Sequence, residues 1–223
     1  MKNKTSGSCS GNTCSQDSCP TGDCSTCTSG PRLPPGILSK YDIDAPTADG
    51  ILIWAEIDGD RIERSVHGLI GKAASLDAGR VFAVIFGDAD RRSLCGELFE
   101  YGVDTVYHIR NTDLNGFRKD HFTTAMNEVS ERVNPIAVFI SGTLNGRALA
   151  SSMAVKTNAE YVTDCTDVTV TAGEISISGT FGGPRNVTMD PRPVLSFIPG
   201  SFGTPGKQVG RKGTIMNRPF KTA

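Results

Sequence analysis

The stretch ILIWAEIDGDRIERSVHGLIGKAASLDAGRVFAVIFG, residues 51–87, contains a complete strand–helix–strand pattern. It opens with a short apolar run, Ile51–Ile57, which ends at Asp58-Gly59 and therefore predicts a buried strand. Apolar residues then recur at helical spacing, at Val66, Leu69, Ile70 and Ala73. After Gly79, a second apolar run, Val81–Phe86, completes the unit. This order of elements predicts a parallel β-sheet covered by helices.

The same pattern continues beyond residue 87. Helices are expected on three more stretches with helical apolar spacing: Leu94–Phe99, Phe122–Val133 and Leu144–Asn158. Strands are expected between them: Thr105–Ile109, Ile136–Ile140 and Glu160–Asp164. After Asp164, apolar and polar residues alternate between tight turns, which is typical of antiparallel strands: Val168–Thr171, Ile175–Thr180, Val187–Met189 and Pro193–Ile198. Residues 51–202 are therefore predicted to form a three-layer α/β/α, Rossmann-like domain with a mainly parallel sheet and an antiparallel extension.

The composition excludes several classes of protein. The 223 residues include 23 Lys+Arg against 24 Asp+Glu, so a polyanion-binding surface is not implied and no nucleic acid is expected as a partner. No run approaches the 18 or so apolar residues that a membrane span needs. The chain starts at Met1 without an apolar signal segment, so we expect a cytoplasmic protein with reduced thiols.

Three segments flank the predicted domain. Residues 1–30 contain no Val, Ile, Leu, Phe, Trp or Tyr, and such a segment cannot build an apolar core. Residues 31–50 form a linker that contains Pro and Gly. Residues 203–223 are expected to be a basic tail with no acidic residue and five cations: Lys207, Arg211, Lys212, Arg218 and Lys221.

The N-terminal segment of residues 1–30, here called the cysteine arm, holds five of the seven cysteines: Cys9, Cys14, Cys19, Cys24 and Cys27. The last three have the C-x4-C-x2-C spacing of a plant-type ferredoxin, with Cys14 or Cys9 as a fourth ligand. Thiolates are soft donors that suit Fe–S clusters and zinc, but zinc sites favour two C-x2-C pairs and only one is present. The arm therefore predicts an Fe–S cluster of undecided type, with zinc or a ligand-free tail as alternatives.

Several segments resemble the N-terminal domain of the electron transfer flavoprotein α subunit. They are the opening ILIWAEIDGD, the segment ELFEYGVDTVY at 97–107, the turn SGTLNGRALA at 141–150, VTDCTDV at 162–168, and TFGG at 180–183 with PGSF at 199–202. Together they cover about two-thirds of the chain in the family's order. The resemblance implies an adenine-nucleotide α-hydrolase-like fold.

The resemblance also implies partners. Such α subunits pair with an electron transfer flavoprotein β subunit and carry electrons from flavin dehydrogenases. Their second domain holds FAD, and we expect that domain to be missing here because the sequence stops some twenty residues after Phe202. FAD or AMP is therefore expected only together with a partner subunit.

The turn at 141–147 is a candidate cofactor-binding site. It places two glycines and hydroxyl groups between a strand and a helix, where free backbone N–H groups favour an anion. The candidate residues are Gly142, Thr143, Asn145, Gly146 and Arg147. The strict dinucleotide fingerprint and the Walker lysine are missing, and Ala148 replaces the acidic residue of the family's turn. The alternative is an ordinary strand–helix turn in which Asn145 caps the helix.

The remaining reactive side chains indicate no catalytic site. Cys95 and Cys165 are interpreted as buried thiols, and the three histidines, His67, His108 and His121, show no metal-ligand spacing. No arrangement of serine, histidine and aspartate indicates a hydrolase, and an electron carrier is favoured over a catalyst acting alone. We therefore predict a subunit that relays electrons through the arm's cluster between a flavoprotein partner and an acceptor. The alternative is a non-redox scaffold or nucleotide-binding subunit of a larger complex.

Overall fold

The computed structural model describes residues 50–171, 174–180, 182–188 and 192–220. The helices are α1 (Arg64–Ser75), α2 (Arg92–Tyr101), α3 (Lys119–Val133) and α4 (Leu144–Thr157). The strands are β1 (Ile51–Trp54), β2 (Ile57–Asp58), β3 (Arg61–Ile62), β4 (Val81–Phe86), β5 (Thr105–Arg110), β6 (Ala137–Ser141), β7 (Tyr161–Thr171), β8 (Glu174–Gly179), β9 (Arg185–Val187), β10 (Val194–Phe197) and β11 (Thr214–Pro219).

One large sheet organises the described part of the chain. Its strand order is β11-β5-β4-β1-β6-β10-β7-β8-β9, and β2 with β3 forms a separate short hairpin. The pairs from β11 to β7 are parallel, whereas β7, β8 and β9 pair antiparallel. The predicted parallel sheet with an antiparallel extension is therefore confirmed.

Helices cover both faces of this sheet and make the three layers. On β1, Ile51 and Ile53 face one apolar core, which includes residues of α1 and α2. Leu52 and Trp54 face the other core, which includes residues of α3 and α4. Successive side chains of a strand point to opposite faces, so a strand with only apolar residues must be covered on both sides.

The position of β10 differs from the prediction. Its sequence suggested part of the antiparallel extension, but it pairs in parallel with β6 and with β7. All four of its residues are buried, including Ser196, because the strand lies inside the sheet. The two strands predicted at 160–164 and 168–171 are one long strand, β7, whose register shifts near Cys165.

The stretch expected to be a basic tail contains a strand of the sheet. Within residues 203–223, β11 pairs in parallel with β5 along six residues. The segment before it runs along the end of α2: the Gln208 N–H donates to the Glu100 carbonyl at 2.7 Å, and Arg211 Nη2 lies 2.5 Å from Asp104 Oδ1. The cations of this stretch are thus partly used to attach it to the domain.

His108 makes the stability of the sheet depend on pH. It lies on β5, is 3% exposed, and donates from Nε2 to the Gly87 carbonyl at 3.0 Å. Burial lowers the pKa of His108 below its ordinary value of 6.5. The folded protein therefore favours the neutral ring, so stability is complete above about pH 6.5 and falls as the pH drops below it.

We predict that a His108→Gln variant, which keeps a donor but does not titrate, loses less stability than the wild type between pH 7.5 and 5.5. When the free energy of unfolding is plotted against pH, the slopes of the two proteins should differ by at most about 1.4 kcal/mol per pH unit, the value for one proton. Urea unfolding at several pH values measures it. Equal slopes for the two proteins would contradict the assignment.

Candidate functional site

The strand order places a topological switch point between β1 and β6. After β1 the chain continues to β4 and β5 on one side of β1, whereas β6, β10 and β7 lie on the other side. Ligands of open α/β sheets bind outside the carboxyl ends of the strands at such a point. The carboxyl ends of β1 and β6 lead into Glu56 and into the turn at 141–147.

The sequence-predicted turn residues lie at this switch point. Thr143 is the N-cap of α4, because its Oγ1 accepts the Gly146 N–H at 3.0 Å. The expectation that Asn145 caps the helix is therefore wrong. Asn145 is in the first turn, where its amide reaches a different partner, Glu56, which the sequence analysis did not assign to the site.

Glu56 joins the end of β1 to the start of α4. The residue is 8% exposed, and its carboxylate accepts two hydrogen bonds, from Thr143 Oγ1 to Oε2 at 2.5 Å and from Asn145 Nδ2 to Oε1 at 3.0 Å. A buried carboxylate needs such partners, and the positive end of a helix favours it further. The sequence contained a signal for it: Glu56 is the first charged residue after the apolar residues of β1.

The two glycines of the turn are required by packing of the chain itself. A Cβ at Gly146 would lie 1.9 Å from the Ser141 carbonyl oxygen, and one at Gly142 would lie 2.7 Å from the Phe197 carbonyl oxygen. Atoms at these distances overlap. Both positions therefore exclude a side chain without a ligand being present.

Arg147, the last of the predicted turn residues, points its guanidinium to a neighbouring strand. Its Nη2 lies 3.3 Å from Asp164 Oδ1, and both side chains are partly exposed. Asp164 adopts a left-handed backbone conformation with φ 55°, close to the register shift of β7. An exposed pair of this kind contributes at most about 1 kcal/mol to stability.

A second polar cluster lies where α1 begins. The N-cap residue Glu63 accepts the Ser65 N–H at 2.9 Å, and the Ser65 hydroxyl hydrogen-bonds both the Glu63 carboxylate and the Ser141 hydroxyl. Ser141 is the last residue of β6, so this cluster links α1 to the same switch point. This cluster was not predicted from the sequence, because Ser65 and Ser141 are 76 residues apart.

A cleft of about 230 Å³ opens beside Glu56. One wall contains aromatic rings packed edge to face: the Phe86 and Phe122 centroids are 4.6 Å apart, and the Trp54 and Phe122 centroids are 6.1 Å apart. Four polar residues also line it: Glu56, Arg91, Asn115 and Asn145. A concave site that combines aromatic side chains with a few convergent polar groups can hold a small molecule.

The two cysteines of the domain are inert. Cys95 and Cys165 are both fully buried, as predicted, and burial raises the pKa of Cys95 to about 11 and that of Cys165 to about 12. They remain thiols at neutral pH, whereas metal ligation and nucleophilic attack require the thiolate.

Metal ligands are likewise not grouped in the domain. Among the residues that the structure describes, no three His, Cys, Asp or Glu side chains come together in a way that could hold a metal ion. The predicted ligands Cys9, Cys14, Cys19, Cys24 and Cys27 lie outside those residues. No helix in the described ranges is both long enough and apolar enough to cross a membrane.

Comparison with known proteins supplies the decisive observation. The family model described as "Electron transfer flavoprotein domain" matches residues 51–222. This chain belongs to the electron transfer flavoprotein family. The match includes β11, which completes the domain beyond the predicted boundary at residue 202.

Relatives with curated names agree with the family assignment. The chain is 26% identical to Protein FixB of Azotobacter vinelandii over 81% of its own length and 54% of the relative's. It is 28% identical to the electron transfer flavoprotein subunit alpha of Bacillus subtilis, over 74% of this chain and 52% of that one. A third relative is the lactate dehydrogenase (NAD(+),ferredoxin) subunit LctC of Acetobacterium woodii, 28% identical over 74% of this chain and 42% of that one. The chain therefore spans about half the length of these electron transfer flavoprotein relatives.

We predict opposite effects for alanine at two helical glycines of this electron transfer flavoprotein domain. Gly146→Ala forces a Cβ into the Ser141 carbonyl and should destabilise the domain by about 2 kcal/mol or more. Gly96→Ala, in the middle of α2 with no atom within 4 Å of the new Cβ, should stabilise it by about 0.5–1 kcal/mol. Denaturant unfolding of both variants measures the difference, and a neutral Gly146→Ala would contradict the packing described for the turn.

Proposed function

We propose that the chain is an α-type electron-transfer subunit that relays electrons through an Fe–S cluster on its cysteine arm. The donor is a partner flavoprotein or dehydrogenase, and the cluster passes the electrons to an acceptor. The observation that carries the proposal is the family match over 51–222 combined with the Cys19-x4-Cys24-x2-Cys27 spacing.

The partner is proposed to be an electron transfer flavoprotein β-like subunit, a flavin dehydrogenase, or both. One relative is named as an alpha subunit and another as a subunit of a dehydrogenase that uses NAD(+) and ferredoxin. Such names describe members of multi-subunit assemblies. This chain spans about half the length of those two relatives, and we propose that it joins an assembly of the same kind.

The outer side of α4 supports an interface with that partner. Leu144 and Val155 are 89% and 84% exposed, and they stand on a helix whose other side is already buried in the core. They lie eleven residues apart, about three helical turns, so both project from the same side of α4. The β-like subunit is the occupant that we propose for this surface.

The start of α4 at the switch point does not receive a phosphate group of FAD or AMP in this chain. The first turn of α4 directs Thr143 and Asn145 to the Glu56 carboxylate, and Gly142 and Gly146 pack against backbone carbonyls. We therefore assign FAD or AMP only to a site that a partner subunit completes.

The cysteine arm is suited to an Fe–S cluster by its composition. Its thiolates supply the ligands, and twelve serine and threonine residues supply hydroxyl groups that hydrogen-bond cluster sulfurs and so tune the reduction potential. Cys19, Cys24 and Cys27, with Cys14 or Cys9, would hold the cluster, which would supply a one-electron redox centre beside the partner's flavin. The linker at 31–50, which contains Pro and Gly, sets the reach of the arm.

A second candidate function is a nucleotide-binding or scaffold subunit without redox activity, with a zinc-binding or ligand-free arm. The cleft of about 230 Å³ at the switch point favours it. Calorimetric titration with AMP or ATP separates the two candidates, because saturable binding without any redox centre supports the second.

We predict that replacing Cys19, Cys24 and Cys27 by Ser removes iron and electron transfer while the domain stays folded. The arm has no Val, Ile, Leu, Phe, Trp or Tyr to add to an apolar core, so the unfolding transition of the domain should not move. Iron analysis and visible absorption of anaerobically purified protein are the measurements. The matched control is the Cys95→Ala, Cys165→Ala double variant, which removes two buried thiols and should keep its iron. Full electron transfer in the triple variant, or zinc in the anaerobic wild type, would refute the cluster.

We predict that the chain co-purifies with a β-like or dehydrogenase partner from native extract. A Leu144→Glu, Val155→Glu double variant should retain at least about tenfold less partner, because charges in an apolar interface must be desolvated. Val209→Glu is the control, since Val209 is equally exposed but does not lie on α4. A wild type that purifies gently as a monomer without a companion, or equal retention by both variants, would contradict the proposal.

A further inference from the structure

We propose that Glu56 is an internal substitute for a phosphate group at the switch point. Its carboxylate occupies the position where doubly wound domains receive an anionic ligand, and it thereby closes this position to phosphates. The inference concerns this domain alone and does not depend on the partner or on the cysteine arm.

The first support is a relay of hydrogen bonds from the helix to the carboxylate. The Gly146 N–H of the first turn of α4 donates to Thr143 Oγ1 at 3.0 Å, and that hydroxyl donates onward to Glu56 Oε2 at 2.5 Å. Asn145 Nδ2 donates to the other oxygen at 3.0 Å. Both carboxylate oxygens thus accept from side chains at the start of one helix, the place where phosphate oxygens accept backbone N–H groups in other domains.

The second support is the burial and origin of the carboxylate. Glu56 is 8% exposed and belongs to a different segment from the helix, eighty-seven residues before Thr143. It is held from the other side as well, because its carbonyl accepts the Glu63 N–H at 2.9 Å. This acid is therefore fixed in place between two segments.

The third support is that two backbone N–H groups of the turn are already used. The Gly142 N–H donates to the Phe197 carbonyl at 2.7 Å, and the Gly146 N–H donates to Thr143 Oγ1 at 3.0 Å, so neither is free for a ligand oxygen. A phosphate at this turn must displace the carboxylate or lie against it, and two negative charges at contact distance repel strongly in a buried site.

The proposal is tested by comparing phosphate binding in four forms of the protein: the wild type, Glu56→Ala, Glu56→Gln and Asp58→Asn. Inorganic phosphate and AMP are titrated at constant ionic strength, with amide chemical shifts of Gly142 and Gly146 as the readout. Asp58→Asn is the matched control, because it removes a negative charge from the neighbouring strand β2, where the Asp58 side chain is exposed.

The wild type and Asp58→Asn should bind both probes more weakly than about 10 mM. Glu56→Ala should bind phosphate at least about tenfold more tightly, because it frees the donors of Thr143 and Asn145 and removes the repelling charge. A gain for AMP beyond the gain for phosphate would show that the aromatic cleft also contributes.

Two results would overturn the proposal. One is wild-type protein that binds phosphate or AMP at Gly142 and Gly146 with millimolar or better affinity. The other is a folded Glu56→Ala with no gain in affinity, folding being checked by circular dichroism. Should Glu56→Ala not fold, Glu56→Gln decides: it keeps the size of the side chain but not its charge, and an unchanged phosphate affinity counts against the proposal.

Discussion

The domain depends on the central strand β1, which is covered on both faces and paired with another strand along both edges. Its residues pair in parallel with β4 on one side and β6 on the other, and none is more than 3% exposed. Such a strand can meet polar groups only where it ends. The carboxyl end of β1 therefore defines the polar site, and Glu56 is the residue that stands there.

The position of Glu56 explains how the segments that follow β1 and β6 are held together. The chain adds β4 and β5 on one side of β1 before it returns to β6 on the other, so the connections that leave β1 and β6 diverge at the switch point. Hydrogen bonds from Thr143 and Asn145 to Glu56 connect them again. The Glu56 side chain thus bridges the two segments that diverge at the switch point.

The two edges of the sheet differ in how they are built. At one edge, β7, β8 and β9 form an antiparallel meander from consecutive segments. At the other, β11 comes from the distant end of the described chain and lies beside β5, attached through contacts such as the Arg211–Asp104 ion pair. The region that matches the electron transfer flavoprotein domain runs from residue 51 to residue 222, so it includes the strands at both edges of the sheet.

The sequence alone determined the alternation of strands and helices, the three layers, the buried thiols and the family. These follow from local patterns: the apolar runs at 51–57 and 81–86 have no polar face, and the four helices carry apolar residues at helical spacing. The candidate turn at 141–147 was also found, because glycines between a strand and a helix are a local signal.

Tertiary structure alone decided which residues meet. The placement of β10 inside the sheet and of β11 at its edge depends on long-range strand pairing. The local sequence of neither strand indicates which strand it will pair with. The contact of Glu56 with Thr143 and Asn145 joins segments eighty-seven and eighty-nine residues apart, so no local pattern contains it. The sequence supplies the acid and the helix start separately, and only the parallel pairing of β1 with β6 brings them within hydrogen-bonding distance.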